Sequence, residues 1–276
     1  MDMGKKRLDV LLVEKELIET REKAKRVIMA GLVFSKEVRL DKPGMKVDEE
    51  VPLKIKEKLR YVGRGGLKLE KALNHFHISL KDKIMVDVGS STGGFTDCGL
   101  QNGLSLSYAV DVGYNQLDWK LRNDPRVITM ERTNFRYVTQ ENFQKGTPNF
   151  AAIDVSFISL QLILPVLKKI IAESSDVIAL IKPQFEAGRD QVGKKGIVRD
   201  KKVHMQVVKQ IVNFAIEENY GLFGITYSPI TGGDGNIEFL AHFGWKKDTS
   251  GICLKDEAIE ELIDQAQADF HPSSNT

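Results

Sequence analysis

The 276-residue chain is 42% hydrophobic and 28% charged, with a net charge of +2, enough apolar material for one large packed domain or two unequal ones. No stretch approaches the roughly 18 apolar residues of a membrane span, and the start, MDMGKKRLDVLL, has neither the long apolar region nor the small-residue cleavage site of a secretory signal. Two distant cysteines, Cys98 and Cys253, form no C-x-x-C and fit a reducing compartment, so a soluble cytoplasmic protein without membrane contact is expected.

Charge is uneven along the chain. Residues 1–60 hold 16 Lys and Arg against 12 Asp and Glu, whereas residues 246–276 hold 3 against 7. A basic head and an acidic tail point to an N-terminal part that faces a polyanion. Residues 7–17, RLDVLLVEKEL, set Leu8, Leu11 and Leu12 at helical spacing. Thr20 is a candidate cap for a second helix, REKAKRVIMAG, with Ala24, Val27 and Ile28 as its buried stripe and Gly31 as its stop. The strands LVFS, EVRL and VPLKIK follow, the last after the turn DKPG. Two helices and a small sheet, with Arg21, Lys23, Lys25 and Arg26 massed on the second helix, resemble the S4 RNA-binding domain; a protein-binding module of the same outline is the other reading. The resemblance implies a small α+β domain over 1–59 that contacts RNA phosphates through those residues and Arg7.

Residues 61–73, YVGRGGLKLEKAL, carry Gly63, Gly65 and Gly66, loop signals just before a helical run. They predict a joint over 60–67, with Arg64 as a further RNA contact and Lys68 opening the next domain.

From residue 83 near-continuous apolar strands alternate with helical segments: KIMVDVG, LSYAVDVG, RVITME, FAAIDVSF and DVIALIKP. Runs of this kind suit strands buried on both faces, hence a mostly parallel sheet covered by helices, an α/β fold. YGLFGITYSP and NIEFLAHF have no helix between them and predict an antiparallel edge hairpin, the arrangement of the class I methyltransferase fold. That domain is expected over 68–246, followed by an acidic helix and frayed tail over 247–276.

VDVGSSTGGFTDCGL, residues 86–100, is a strand, a glycine-rich turn and a helix start. Asp111 closes the next strand, 24 residues after Asp87, where a carboxylate can accept both hydroxyls of an adenosine ribose. G-S-S-T-G-G is neither G-x-G-x-x-G nor a Walker loop. It resembles motif I of S-adenosyl-L-methionine-dependent methyltransferases, which implies that cofactor and the binding residues Asp87, Gly89, Ser90, Gly93, Gly94 and Phe95. Asn134 and Phe135, after the third strand, fall where this fold contacts adenine; a turn asparagine and a core phenylalanine are the equal alternative.

Candidate acceptors narrow by elimination. The D/N-P-P-Y/F of base-amine enzymes is replaced by Asp154-Val155-Ser156-Phe157, and neither cysteine follows a proline as in pyrimidine C5 enzymes. Asp154, Lys182 and Glu238 place charges where apolar strands end. Together with Lys68 they match, in order and local context, the Lys-Asp-Lys-Glu tetrad of the ribose 2′-O-methyltransferases related to FtsJ. R-G-G-x-K-L, DVSFISL, LIKPQFE and G-N-x-E-F, joined to an S4 domain, resemble the TlyA family, whose members carry the label haemolysin. The resemblance implies methylation of a cytidine 2′-hydroxyl in ribosomal RNA, with ribosomal RNA or subunits as partner and a monomer as the favoured state.

A ribose hydroxyl is a poor nucleophile near neutral pH, so a base is needed, and a lysine serves only if burial or a neighbouring cation lowers its pKa. The expected roles are Lys182 as base, Asp154 and Glu238 as orienting carboxylates and Lys68 as stabiliser of the alkoxide. The loop 184–200 places Arg189, Lys194, Lys195 and Arg199 where they can grip RNA. Ser156 and Ser159 are expected to be structural. His75, His77, His204 and His242 have no ligand spacing, so no metal is expected. A non-catalytic ribosome-assembly factor and a membrane-lysing protein are the competing functions; the second lacks the spanning or amphipathic segment it needs.

Overall fold

The computed structural model describes residues 4–36, 38–55, 60–232, 235–247 and 251–270. They form two compact units, Met1–Arg60 and Tyr61–Thr276.

In the first unit α1 (Leu8–Glu14) buries Leu8, Leu11 and Leu12, and α2 (Arg21–Met29) buries Ala24, Val27 and Ile28. Thr20 caps α2 by accepting the Lys23 N–H, and Gly31 follows its end at φ +71°, a conformation that costs glycine nothing. Val33 and Leu40 complete this small core. β2 (Val33–Ser35) pairs antiparallel with β3 (Val38–Arg39) and with β5 (Lys54–Ile55). One further ladder differs from the sequence reading. Arg7 ends a strand, β1 (Lys5–Arg7), which pairs antiparallel with β4 (Lys46–Asp48), instead of opening a helix. A strand spelled KKR has no apolar alternation and therefore no periodic signature.

The second unit is built on a seven-stranded sheet. β6 (Ile84–Val88), β7 (Leu106–Val110), β8 (Val127–Met130), β9 (Phe150–Ile153) and β10 (Ser175–Ile181) pair in parallel, in the order β8-β7-β6-β9-β10. β12 (Phe239–Trp245) then inserts antiparallel between β10 and β11 (Tyr220–Tyr227). All seven residues of β10 are buried, whereas β11, at the edge, alternates, as two-sided and one-sided cover demand. The helices are α3 (Gly65–His75), α4 (Gly94–Gln101), α5 (Trp119–Arg122), α6 (Leu164–Leu167), α7 (Pro183–Glu186), α8 (Lys201–Glu217) and α9 (Asp256–Phe270). The chain runs outward from β6 through β7 to β8, then returns to β9 on the other side of β6. The switch point of the sheet thus lies between β6 and β9, where such folds bind ligands.

The glycine-rich segment at 60–67 is not a free joint. Tyr61 is buried, and the Val62 N–H donates to Asp97 Oδ2 at 2.8 Å. A Cβ on Gly66 would stand 2.3 Å from the Tyr61 ring, and one on Gly94 would stand 2.8 Å from the Gly66 nitrogen. These glycines are small because two helix starts pack backbone to backbone. The acidic helix α9 likewise belongs to this unit. It buries Ile259, Leu262, Ile263 and Ala266, and its Glu260 and Asp264 accept Lys201 of α8. The frayed end expected at 271–276 lies outside the described residues.

Candidate active site

Two strand ends meet at the switch point. Gly89, after β6, has φ +85°, and a Cβ there would lie 2.6 Å from the Asp154 carbonyl oxygen. Only glycine lets the cofactor turn sit against the backbone that carries Asp154. Beside this contact lies a cavity of about 310 Å³ lined by Gly89, Asp111, Asn134, Phe135, Ser156 and Phe157, among others. That volume is at the lower end of the range for small-ligand sites.

The lining suits S-adenosylmethionine. Asp111 accepts the Ser91 N–H at 2.8 Å through Oδ2 and the Gly113 N–H at 2.7 Å through Oδ1. Each carboxylate oxygen carries two lone pairs, so acceptor capacity remains for two ribose hydroxyls. Asn134 caps a 3-10 turn by accepting the Arg136 N–H, and the buried Phe135 belongs to the core, the structural roles weighed for them, while both also line the cavity.

Other residues assigned to the cofactor from sequence build the scaffold. Asp87 is fully buried beneath the loop, where its Oδ2 accepts both the N–H and the hydroxyl of Thr96. Burial raises its pKa to about 7, against the pull of those Thr96 bonds, and the nearby Asp154 and Asp111 charges push it the same way. Asp87 is not among the residues that line the cavity. The Ser90 carbonyl accepts the Gly93 N–H, Gly93 turns at φ +92° against Leu121, and Phe95 packs in the core over Gly65.

Lys68, Asp154, Lys182 and Glu238 come together as one chain of alternating charge. Lys68 Nζ lies 2.7 Å from Glu238 Oε2 and 3.4 Å from Asp154 Oδ2, while Lys182 Nζ lies 2.5 Å from Asp154 Oδ1. Lys68, Lys182 and Glu238 are buried. Burial works against the Lys68 charge, but Asp154 and Glu238 outweigh it and hold its pKa above the ordinary lysine value. Lys182 has one carboxylate and one hydroxyl, donating to Ser156 Oγ at 3.0 Å. Ser156, expected to be merely structural, is thus a direct partner of the tetrad. Gln184 Nε2 donates to Glu238 Oε1 at 3.4 Å, and Gly232 makes room for that carboxylate.

Phe157, named in the sequence only as the last residue of Asp154-Val155-Ser156-Phe157, was given no role in the site. It sits at the cavity with φ +62° and 90% of its surface exposed, its ring 4.8 Å from that of Phe185. An aromatic letter in a run such as DVSFISL looks like core, and only the backbone turns it outward.

The residues expected to hold RNA are placed as follows. Arg7 and Arg21 converge on the buried carboxylate of Asp9, whose pKa their bonds lower to about 2, Arg7 first, against the opposing effect of burial. Lys23 pairs with Glu19 and Lys25 with Glu22; Arg26 also lies on α2. Arg64 donates to the Thr231 carbonyl at 2.9 Å. Arg189 is exposed, and Lys195 and Arg199 line a cleft of about 520 Å³. The side chain of Lys194 lies outside the described residues.

A switch-point cavity of this lining on this sheet order defines an S-adenosylmethionine-dependent methyltransferase. Residues 61–245 match the FtsJ-like methyltransferase family and residues 6–51 match the S4 domain. The chain is 63% identical over 268 residues to "Putative rRNA methyltransferase YqxC" of Bacillus subtilis, covering 96% of this chain and 95% of the relative. It is 36% identical over 262 residues to the "16S/23S rRNA (cytidine-2'-O)-methyltransferase TlyA" of Mycobacterium tuberculosis, covering 94% and 96%. A solved structure described as "Putative hemolysin from Streptococcus thermophilus" superposes with a TM-score of 0.77 at 54% identity, covering 97% and 98%. The chain belongs to the TlyA family, in which an S4 domain precedes an FtsJ-like methyltransferase domain. Among the described residues no helix is long and apolar enough to cross a membrane.

Proposed function

We propose that this enzyme methylates the ribose 2′-oxygen of cytidine in ribosomal RNA with S-adenosylmethionine, and that Lys68, Asp154, Lys182 and Glu238 carry the reaction. The observation that supports this most is the alternating ion-pair chain beside the cofactor cavity. Taking the charges of Lys68, Lys182 and Glu238 out of water costs several kcal/mol each before pairing, an outlay that a passive RNA-binding factor has no use for.

The cofactor, when bound, supplies an electrophilic methyl group. Lys182 adjoins two cavity-lining residues, Asp154 and Ser156. In its neutral form its Nζ accepts the proton of the 2′-hydroxyl as that oxygen takes the methyl group, leaving Lys182 as the ammonium, and Asp154 and Ser156 hold the amine in line. Lys68, clasped by two carboxylates, remains an ammonium and offsets the negative charge that develops on the oxygen. Phe157 offers a ring face for a base, and the Arg132–Tyr114 and Arg136–Tyr137 pairs, at 4.1 and 5.4 Å, offer mixed cationic and aromatic surface of the kind that binds single-stranded RNA. The S4 unit adds phosphate contacts through Arg7, Arg21, Lys23, Lys25 and Arg26. A ribosomal substrate places the enzyme in the cytoplasm.

The test is incubation with labelled S-adenosylmethionine and isolated ribosomal subunits, with the label mapped by nuclease digestion. Label on a cytidine 2′-oxygen is expected. Label on a base, or none on any RNA although the cofactor binds, overturns the reading.

A further inference from the structure

Glu186 ends α7, the single helical turn that starts directly after Lys182. Its Oε1 accepts the Leu160 N–H at 2.8 Å and its Oε2 accepts the Ser159 hydroxyl at 2.5 Å. Ser159 and Leu160 close the short segment that runs on from Asp154. Between Asp154 and Ser159 lie Ser156, the hydroxyl partner of Lys182, and Phe157, the exposed ring at the cavity.

Neither segment can hold its shape alone. One turn of helix is far below the length at which a helix is stable in water. A phenylalanine at φ +62° sits in a region that bulky residues occupy only when their surroundings force it. Glu186 joins the two, together with the Phe157–Phe185 ring contact. Both recorded partners of its carboxylate are neutral, and burial raises its pKa above the usual glutamate range, against the pull of Ser159 and Leu160. Nothing in the pairing needs the charge. The two bonds need only one group that accepts from a backbone N–H and exchanges a hydrogen bond with a hydroxyl.

We propose that Glu186 is a positioning residue: it clamps the 155–160 segment to the turn after Lys182 and so fixes Ser156 beside Lys182 and Phe157 at the cavity, where the RNA acceptor must meet the methyl group. The proposal rests on the methyltransferase reading above. Asp111, which follows β7 on the other side of β6 from β9, shares no hydrogen-bond partner with the clamp, so its loss serves as the comparison for a cofactor effect.

The test compares Glu186→Ala, Glu186→Gln and Ser159→Ala with the unaltered full chain on ribosomal subunits. For Glu186→Ala, kcat is expected to fall about 10- to 100-fold, the scale of a small misplacement near reacting groups, with any rise in the dissociation constant for S-adenosylmethionine smaller than that fall. Glu186→Gln is expected to recover most of the turnover, because its amide oxygen accepts from Leu160 and its NH₂ group donates to Ser159 Oγ. Ser159→Ala, which keeps the Leu160 bond, is expected to fall between the two. Hydrogen exchange at the Leu160 amide should accelerate in Glu186→Ala and not in Glu186→Gln. Wild-type turnover in Glu186→Ala, or equal losses in Gln and Ala variants, overturns the clamp; so does a parallel loss of cofactor affinity. If the unaltered chain methylates no RNA, the functional reading fails, and Leu160 exchange still decides whether Glu186 holds the segment.

Discussion

Lys182 Nζ lies 2.5 Å from Asp154 Oδ1, on the carboxylate oxygen that Lys68 leaves free. One carboxylate thus divides two lysines, and they differ in what else holds them: a second carboxylate for Lys68, a hydroxyl for Lys182. If Lys182 is the base, Lys182→Ala should lower kcat by at least about 100-fold, the usual span of general base catalysis, without weakening cofactor binding. Lys182→Arg should not restore it, because a guanidinium keeps its proton. Recovery of turnover in the arginine variant, measured with excess subunits, would reduce the role to that of a fixed charge.

Asp111 is held by two backbone N–H groups and retains acceptor capacity. Asp111→Ala should raise the dissociation constant for S-adenosylmethionine by about 10- to 100-fold, the worth of hydrogen bonds to a charged acceptor. Calorimetric titration of the RNA-free protein checks this, and an unchanged constant removes Asp111 from the cofactor site.

Asp87 links stability to pH. In the folded protein its carboxyl titrates at about 7, whereas an unfolded aspartate titrates near 3.9. Between those values the folded state binds more protons than the unfolded one. Its contribution to stability therefore falls as pH rises from about 4 to about 7, then levels off. Asp87→Asn should abolish that slope. Urea midpoints of both proteins across pH 5–8 provide the comparison, and equal slopes would show that the proton sits elsewhere.

Gly65 and Gly66 should respond differently to alanine. A Cβ on Gly66 meets the Tyr61 ring at 2.3 Å, but one on Gly65 meets nothing closer than Phe95 at 3.5 Å. Gly66→Ala should cost about 1–3 kcal/mol, as overpacking does, and Gly65→Ala should be near neutral. Thermal unfolding distinguishes them. Equal tolerance would mean that Tyr61 moves aside freely and that the segment is the loose joint its composition suggests.

The four tetrad residues were legible because each breaks an apolar or glycine-rich pattern: Asp154, Lys182 and Glu238 put charge where a buried strand should end in hydrophobic residues. The mostly parallel sheet was legible for the related reason that two-sided burial leaves unbroken apolar runs such as VIALI. Glu186, Gln184 and Ser159 were not, since a polar residue in a loop looks the same whether it faces water or a backbone N–H. Asp87 was read as a ligand residue because the glycine-turn pattern fixes which residues are present, not which side of the loop they face. The glycines of 63–66 were misjudged because flexibility and close approach select the same residue.

Lys68 and Glu238 are 170 residues apart, and the sheet receives β12 between two strands made before it. During synthesis, at roughly 5–20 residues per second, Lys68 and Asp154 leave the ribosome well before the carboxylate that completes their charge balance. A nascent chain that stops short of β12 carries the cofactor turn and both lysines but not the last acid of the tetrad. The proposed ribosome-modifying centre is therefore complete only once β12 has been made, and a product cut before Glu238 lacks one of its four charged groups.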